Sequence, residues 1–483
     1  MNTGWLVLRH AHGLGDANLF NAFNGTSVAS GATLALDSVT DIPEKLTLNG
    51  AGDSGIGALF NQVGNNSYAG PINLNSDATI STSFNSPLEL KGVISGSGNL
   101  FTLGTSTLTL GGTEPNTFTG RTYVHGARLA LAKPAGVVAL PYDLYIGDGS
   151  WDADVEEVIS LNDGQLSTNA LINLLAPARF DLGNHAEQLR GLYGNGEVVL
   201  GYGQLRLGGG TFSGTISGLL GKIEKIGGLG LFLYGTNTYT GETIVREGLL
   251  SVYGSLTTSP IYVTNSGTLG GNGAVGTVHL TSGKLAPDAA FNNCLGKLNS
   301  GGVYLNAQST FAVDLAGELP GTQHDQLVAK NLVQLQGKLA VNLTGNTTSG
   351  DVFTIIKKDS AGLCSGTFSG LPEGQTFHVN SRPFQITYQG GDGNDVMLTQ
   401  TGQIVIPAID SILQSPNGNP QINGHGIPFH LYSIERSEDF QNWVLLDTVA
   451  ADDAGKIHYQ DADGFSLAKA FYRLLAIEDS GQF

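Results

Sequence analysis

Cysteine is nearly missing from this chain, with two in 483 residues, Cys294 and Cys364, so a disulfide scaffold is excluded. Proline is sparse at 16, and the 70 glycines follow no three-residue period, which excludes collagen. Basic residues number 23 against 41 acidic ones and nowhere cluster, leaving a net charge of −18. Such a chain repels a phosphate backbone, so nucleic acid is not an expected partner. Charged residues of all kinds make up only 13%. No apolar run approaches the roughly 18 residues of a membrane-crossing helix. The opening Met1-Asn2-Thr3-Gly4-Trp5-Leu6-Val7-Leu8-Arg9-His10 has neither the basic start nor the long apolar core of a signal peptide. There is no G-x-S-x-G, no H-E-x-x-H and no phosphate loop. Hence no catalytic residue and no cofactor is expected, and the chain reads as a protein that is not an enzyme.

What is present is glycine, a 40% apolar share and abundant Thr, Ser and Asn. Short segments alternate apolar and polar residues every 8–12 positions, among them Leu34-Ala35-Leu36, Leu88-Glu89-Leu90, Leu108-Thr109-Leu110, Leu205-Arg206-Leu207 and Val278-His279-Leu280. Period-two patterning punctuated by Gly, Asn and Ser predicts strands and turns, with almost no helix. The text also repeats. Gly92-Val93-Ile94-Ser95-Gly96 returns as Gly214-Thr215-Ile216-Ser217-Gly218. Asn116-Thr117-Phe118-Thr119-Gly120-Arg121-Thr122-Tyr123-Val124 returns as Asn237-Thr238-Tyr239-Thr240-Gly241-Glu242-Thr243-Ile244-Val245, with a worn copy at Asn66-Ser67-Tyr68-Ala69-Gly70. Asn116, Thr117, Phe118 and Gly120, like Asn237, Thr238, Tyr239 and Gly241, are therefore expected to be structural repeat positions. Asn suits a left-handed corner bonded to its own backbone, Thr and the ring suit a strand, and Gly makes the next corner. Stacked coils would set Asn above Asn and Thr above Thr.

These segments resemble the autotransporter-associated β-strand repeat of bacterial surface proteins, a Leu-Thr-Leu-x-Gly-x-Asn-Thr-Tyr-Thr-Gly-x-Thr-x-Val run. Residues 104–129 and 227–250 carry it well. Further landmarks follow in order, from Gly267-Thr268-Leu269-Gly270-Gly271-Asn272-Gly273 and Gly283-Lys284-Leu285-Ala286-Pro287 to Gly366-Thr367-Phe368-Ser369-Gly370 and Ile386-Thr387-Tyr388-Gln389-Gly390. The likeness spans about 1–400. It departs from the family in a degraded Lys-x-Gly-x-Gly before the first copy and in having no C-terminal outer-membrane barrel. The resemblance implies an all-β protein whose residues 1–402 form a right-handed parallel β-helix, or solenoid. With coils of roughly 20–25 residues that is about 16–20 coils, and 75–95 Å at about 4.8 Å per coil. Cys294 and Cys364, 70 residues apart, then lie about three coils apart and beyond disulfide reach.

Around Pro407 the texture changes. Residues 403–483 hold 11 acidic and 4 basic residues, and runs such as Tyr432-Ser433-Ile434-Glu435 and Phe471-Tyr472-Arg473-Leu474 resemble a fibronectin/immunoglobulin-like module. Trp443 and Phe471 are expected in the core of this β-sandwich; a sugar-stacking role for the tryptophan is the sharper alternative. Gly390 to Leu398 fits the nine-residue calcium-roll repeat G-G-x-G-x-D-x-U-x in a single copy, which makes Asp392 and Asp395 weak calcium candidates. Asp461-Ala462-Asp463-Gly464 reads as a solvated turn with too few ligands for a hard cation.

The reading is an exported, passenger-like stalk or adhesin at the bacterial cell surface, monomeric and without a membrane-spanning segment. Surface glycans or neighbouring cells are its expected partners. Alternatives are a carbohydrate-binding module on a spacer, or a β-helix polysaccharide lyase or hydrolase. Because Gly13-Leu14-Gly15-Asp16 already reads as mid-repeat text, a longer protein with an export signal and capping coils upstream is expected.

Overall fold

Strands of three to five residues separated by Gly, Asn or Ser cannot bury both faces alone; they become stable by stacking on copies of themselves. The computed structural model describes residues 1–15, 25–149, 156–289, 294–402, 406–467 and 469–477. Among these there are forty-eight strands, two short 3-10 turns and no α-helix, so no helix is long and apolar enough to cross a membrane. The chain divides into two units. The first is Met1–Ser309 with Leu327–Val333; the second is Thr310–Gln326 with Gln334–Phe483.

The first unit is a parallel β-solenoid. One column of strands runs from Gly4–Leu8 through Ala32–Asp37, Leu100–Gly104, Thr122–Val124 and Leu144–Ile146 to Gly283–Leu285, joined by thirteen successive parallel pairings. The coils are less even than a fixed repeat: one step spans 28 residues, from Gly4 to Ala32, and another 16, from Thr268 to Lys284. A second, eight-stranded parallel sheet runs from Asn66–Tyr68 to Thr215–Ser217. In it Leu108, Leu129, Val158, Phe180, Val198 and Ile216 sit one above another in register. All six are buried, each burial contributing about 2 kcal/mol. The alternation in the sequence thus becomes a continuous apolar column inside and a polar or aromatic row outside.

Glycine has a second task here. Gly196, Gly214, Gly235, Gly254 and Gly273 occupy one corner of successive coils. A Cβ on each of the last four would collide with the carbonyl oxygen of the glycine one coil before. Backbones meet there without room for a side chain, which accounts for part of the glycine excess.

The second unit begins with a parallel pair, Ser309–Leu315 with Lys338–Leu343, and then turns antiparallel. Val352–Lys358 and Arg382–Gly390 both pair with Asp395–Gln400, and Thr376–Val379 pairs with Arg382–Gly390. Two three-stranded antiparallel sheets follow. Pro420–His425 lies between Ala408–Gln414 and Lys456–Gln460, and Leu431–Ser437 lies between Val444–Ala450 and Phe471–Ala476. Their shared core is Tyr432, Ile434, Ala451 and Ile457, with Leu446, Val449, Tyr459, Leu474 and Ala476 packed around it. Trp443 and Phe471, expected in that core, are only half buried. Phe471 opens its strand opposite Ser437, on the face away from Tyr432 and Ile434, and Trp443 sits just before Val444–Ala450. Cys294 and Cys364 are both free thiols.

Candidate functional site

The repeat positions build the coil corners. Asn116 is buried between coils: its Oδ1 accepts the Ile94 N–H at 2.9 Å, and its Nδ2 donates to the Ala139 carbonyl at 2.9 Å. Asn237 does the same, accepting from Ile216 N–H at 3.1 Å and donating to the Gly235 and Ser255 carbonyls at 3.3 Å each. Asn66 accepts from Val39 N–H at 2.6 Å. The expected left-handed corner bonded to its own backbone is corrected: neither Asn116 nor Asn237 has positive φ, and each clips one coil to its neighbours. Thr117 and Thr238 face solvent while their amides bond the Ile94 and Ile216 carbonyls at 2.8 Å. Phe118 and Tyr239 are fully buried, the Tyr239 hydroxyl 2.6 Å from Thr243 Oγ1. Gly120 and Gly241 leave no space for a Cβ against the backbones of Gly98 and Gly221.

Asn237→Ala is expected to orphan the buried Ile216 N–H and cost about 2 kcal/mol. Asn237→Asp, which when protonated keeps the acceptor and supplies an O–H toward the Gly235 and Ser255 carbonyls, should recover most of it in chemical denaturation at about pH 3. Equal losses in the two variants would mean that the cross-coil bond is not what the side chain contributes.

Buried lysines play a comparable part. Lys225 Nζ donates to the carbonyls of Ile226, Gly227 and Glu247 at 2.8, 2.7 and 3.1 Å, and burial lowers this amine to about 8. Lys133 bonds the Gly111 and Glu114 carbonyls, and Lys358 those of Ser360, Ala361 and Gly362.

The outer face of the solenoid carries two aromatic ladders that patterning did not single out. Phe101, Tyr123 and Tyr145 stand in register, with ring centroids 4.7 and 4.9 Å apart and planes within 20°. Arg121 lies 5.6 Å from the Tyr145 ring, and His125 meets Phe101 and Tyr123 edge-on. Tyr262, His279 and Tyr304 form the second stack, at 5.0 and 4.7 Å, where burial lowers the His279 imidazole. The signal was present in the middle letter of three-residue strands such as Thr122-Tyr123-Val124 and Val303-Tyr304-Leu305, whose centre points outward. Rings stacked at coil spacing shield each other's faces and offer their edges and hydroxyls to solvent.

Asp392 and Asp395 lie on the turn of an antiparallel hairpin, where Gly390 pairs with Asp395, and not between parallel coils as a calcium roll requires. Asp392 is exposed, whereas Asp395 is buried and accepts the Lys358 N–H at 2.9 Å. Burial is the largest influence raising its carboxyl. Asp461 is taken up by Arg436, whose Nη1 reaches its two oxygens at 2.8 and 2.7 Å, and by the Tyr472 hydroxyl at 2.8 Å.

In the C-terminal sheets an aromatic group stands at the surface. Asp439 accepts from the Ser437 hydroxyl at 3.0 Å, the Gln441 and Asn442 amides at 2.9 and 2.8 Å, and Asn442 Nδ2 at 2.8 Å. These bonds hold its carboxyl well below the ordinary range. The loop so fixed presents Phe440, 62% exposed, with φ of +62°. The Phe440 ring lies 3.6 Å from that of Phe471, and Trp443 carries the Arg473 guanidinium 4.2 Å over its ring.

No protein-family model matches the chain. Two proteins of Serratia marcescens, each named extracellular serine protease, are similar to parts of it. One is 45% identical over 78 residues, 16% of this chain and 7% of that protein; the other is 34% identical over 127 residues, 26% and 11% respectively. The chain therefore spans only a small part of the relatives it matches. The expectation that it is not an enzyme is overturned by these matches, because both relatives are named for protease activity. The structure and the comparisons together give a β-solenoid similar, over part of its length, to proteins named as extracellular.

Proposed function

We propose that this chain is the β-helical part of an exported, passenger-like protein that works at the bacterial surface as an adhesive stalk, meeting glycans or neighbouring cells. On this reading residues 1–402 are built from autotransporter-associated β-strand repeats, and 403–483 are a fibronectin/immunoglobulin-like module. The observation that carries it is the run of thirteen successive parallel pairings, with aromatic rows facing solvent. A solenoid of this kind is a long, protease-resistant surface whose stability is spread over neighbouring coils. The extracellular naming of both relatives supports export. Because that naming also includes proteolysis, the stalk is read as one that carries or adjoins an enzyme, not as a substitute for one.

Beads coated with the purified chain should adhere to cells of the same community and be displaced by their extracted surface polysaccharide. Antibody against the chain should label intact cells of its source. Labelling confined to lysed cells would refute export, and beads that bind no better than albumin-coated controls would refute the adhesive role.

A further inference from the structure

We propose that Phe440, Trp443 and Phe471 form a binding platform for a neutral polysaccharide, which rests on the adhesive reading and gives it a ligand and a site. A bulky aromatic at left-handed φ is uncommon and strained, and burial does not compensate it here, since Phe440 is 62% exposed. The strain is held by the Asp439 loop, whose carboxylate makes four hydrogen bonds within 437–442 and fixes the backbone on either side of the ring. Three further contacts stiffen the group. Phe440 lies on Phe471, Trp443 Nε1 donates to the Phe440 carbonyl at 3.3 Å, and Arg473 stacks on Trp443 while its Nε bonds Glu435 at 2.7 Å. The result is an outward aromatic surface fixed before any ligand arrives, a composition typical of binding hot spots.

Charge decides which occupant fits. Glu435 is paired with Arg473, and Asp439, although ionised, has its oxygens occupied by four hydrogen bonds within its own loop. A cationic partner would have chiefly the exposed Glu438 at the rim to hold it. An anionic polymer, or a second copy of this chain, meets a net charge of −18, of which −7 belongs to residues 403–483. A neutral pyranose chain suits what remains. The C–H face of the sugar packs on the negative ring face, and the exposed Gln441 amide and Glu438 carboxylate at the rim can bond its hydroxyls.

Native gels cast with soluble β-1,3-glucan, xylan, mannan or amylose would test this on the full chain. At least one should retard the wild-type protein, and Phe440→Gly should weaken that retardation at least about tenfold. Glycine accepts the left-handed backbone, so the melting temperature should stay within about 3 °C. Trp443→Ala should weaken binding similarly and Phe440→Tyr should retain it. Retardation by none of the four, by polygalacturonate alone, or to the same degree in Phe440→Gly would overturn the platform. If Phe440→Gly beads still adhere to cells while the gel shift is lost, this site is not the adhesive one, although the stalk reading stands.

Discussion

Gly235→Ala is expected to destabilise the solenoid by about 3 kcal/mol, a single methyl group with the effect of a core truncation. Gly235 is not among the glycines with left-handed φ, so no left-handed backbone bars alanine there; what it lacks is space. Its Cβ would fall on the carbonyl oxygen of Gly214, which is held in place by the Gly196 corner beneath, while Gly254 presses from the next coil. Backbone stacked on backbone cannot rotate aside as a side chain does, so relief requires separating neighbouring coils and stretching their ladder hydrogen bonds. Gly228 supplies the control: a Cβ there meets nothing within 4 Å, and its φ is also outside the left-handed range. Gly228→Ala should therefore change stability by less than about 0.5 kcal/mol. Limited proteolysis followed by mass spectrometry should place the first cuts of Gly235→Ala within 196–273. Equal melting temperatures for the two variants would show that the corner yields more easily than the close approach implies.

That corner marks where the sequence is legible and where it is not. Period-two alternation was sufficient for an all-β chain, and the returning Asn-Thr-aromatic-Thr-Gly phrase, through the repeat family it resembles, pointed to a solenoid, because coils that repeat their text can stack on one another. Which glycine lies above which was not legible, since the steps between coils vary from 28 to 16 residues and the register follows from the three-dimensional path. The same limit hid the role of Asn116 and Asn237, whose partners on neighbouring coils lie 18 to 23 residues away. The antiparallel pairing from Val352–Lys358 onward also escaped, because one strand alternates alike in either direction. At the surface, composition made Trp443 and Phe471 look like core, whereas the more telling feature is Phe440, whose backbone conformation no sequence pattern announced.

Glu187 gives the second large effect, and its sign is set by burial. The carboxyl is 2% exposed within the solenoid, where its Oε1 accepts from the Ser160 hydroxyl at 2.9 Å and the Gln165 amide at 3.0 Å, and its Oε2 from the Leu166 amide at 3.2 Å. Loss of water outweighs these three bonds and lifts the group from 4.5 to about 7, with nearby Asp163 adding to the rise. With its folded value above its unfolded one, the native chain holds a proton between those limits that the unfolded chain has released. Stability therefore falls as pH rises from about 4.5 to about 7, and above 7 the folded state carries the whole cost of a buried charge, about 3 kcal/mol. Glu187→Gln removes the titration while keeping one acceptor oxygen for the Gln165 amide. Its amide nitrogen must face the Leu166 N–H, a mismatch of about 1 kcal/mol at every pH. The variant should thus fall slightly below wild type at pH 4.5 and exceed it at pH 8, the two unfolding midpoints crossing in between. A constant difference between the midpoints from pH 4.5 to pH 8 would mean that Glu187 is ionised in the folded chain throughout, its three donors having overcome burial.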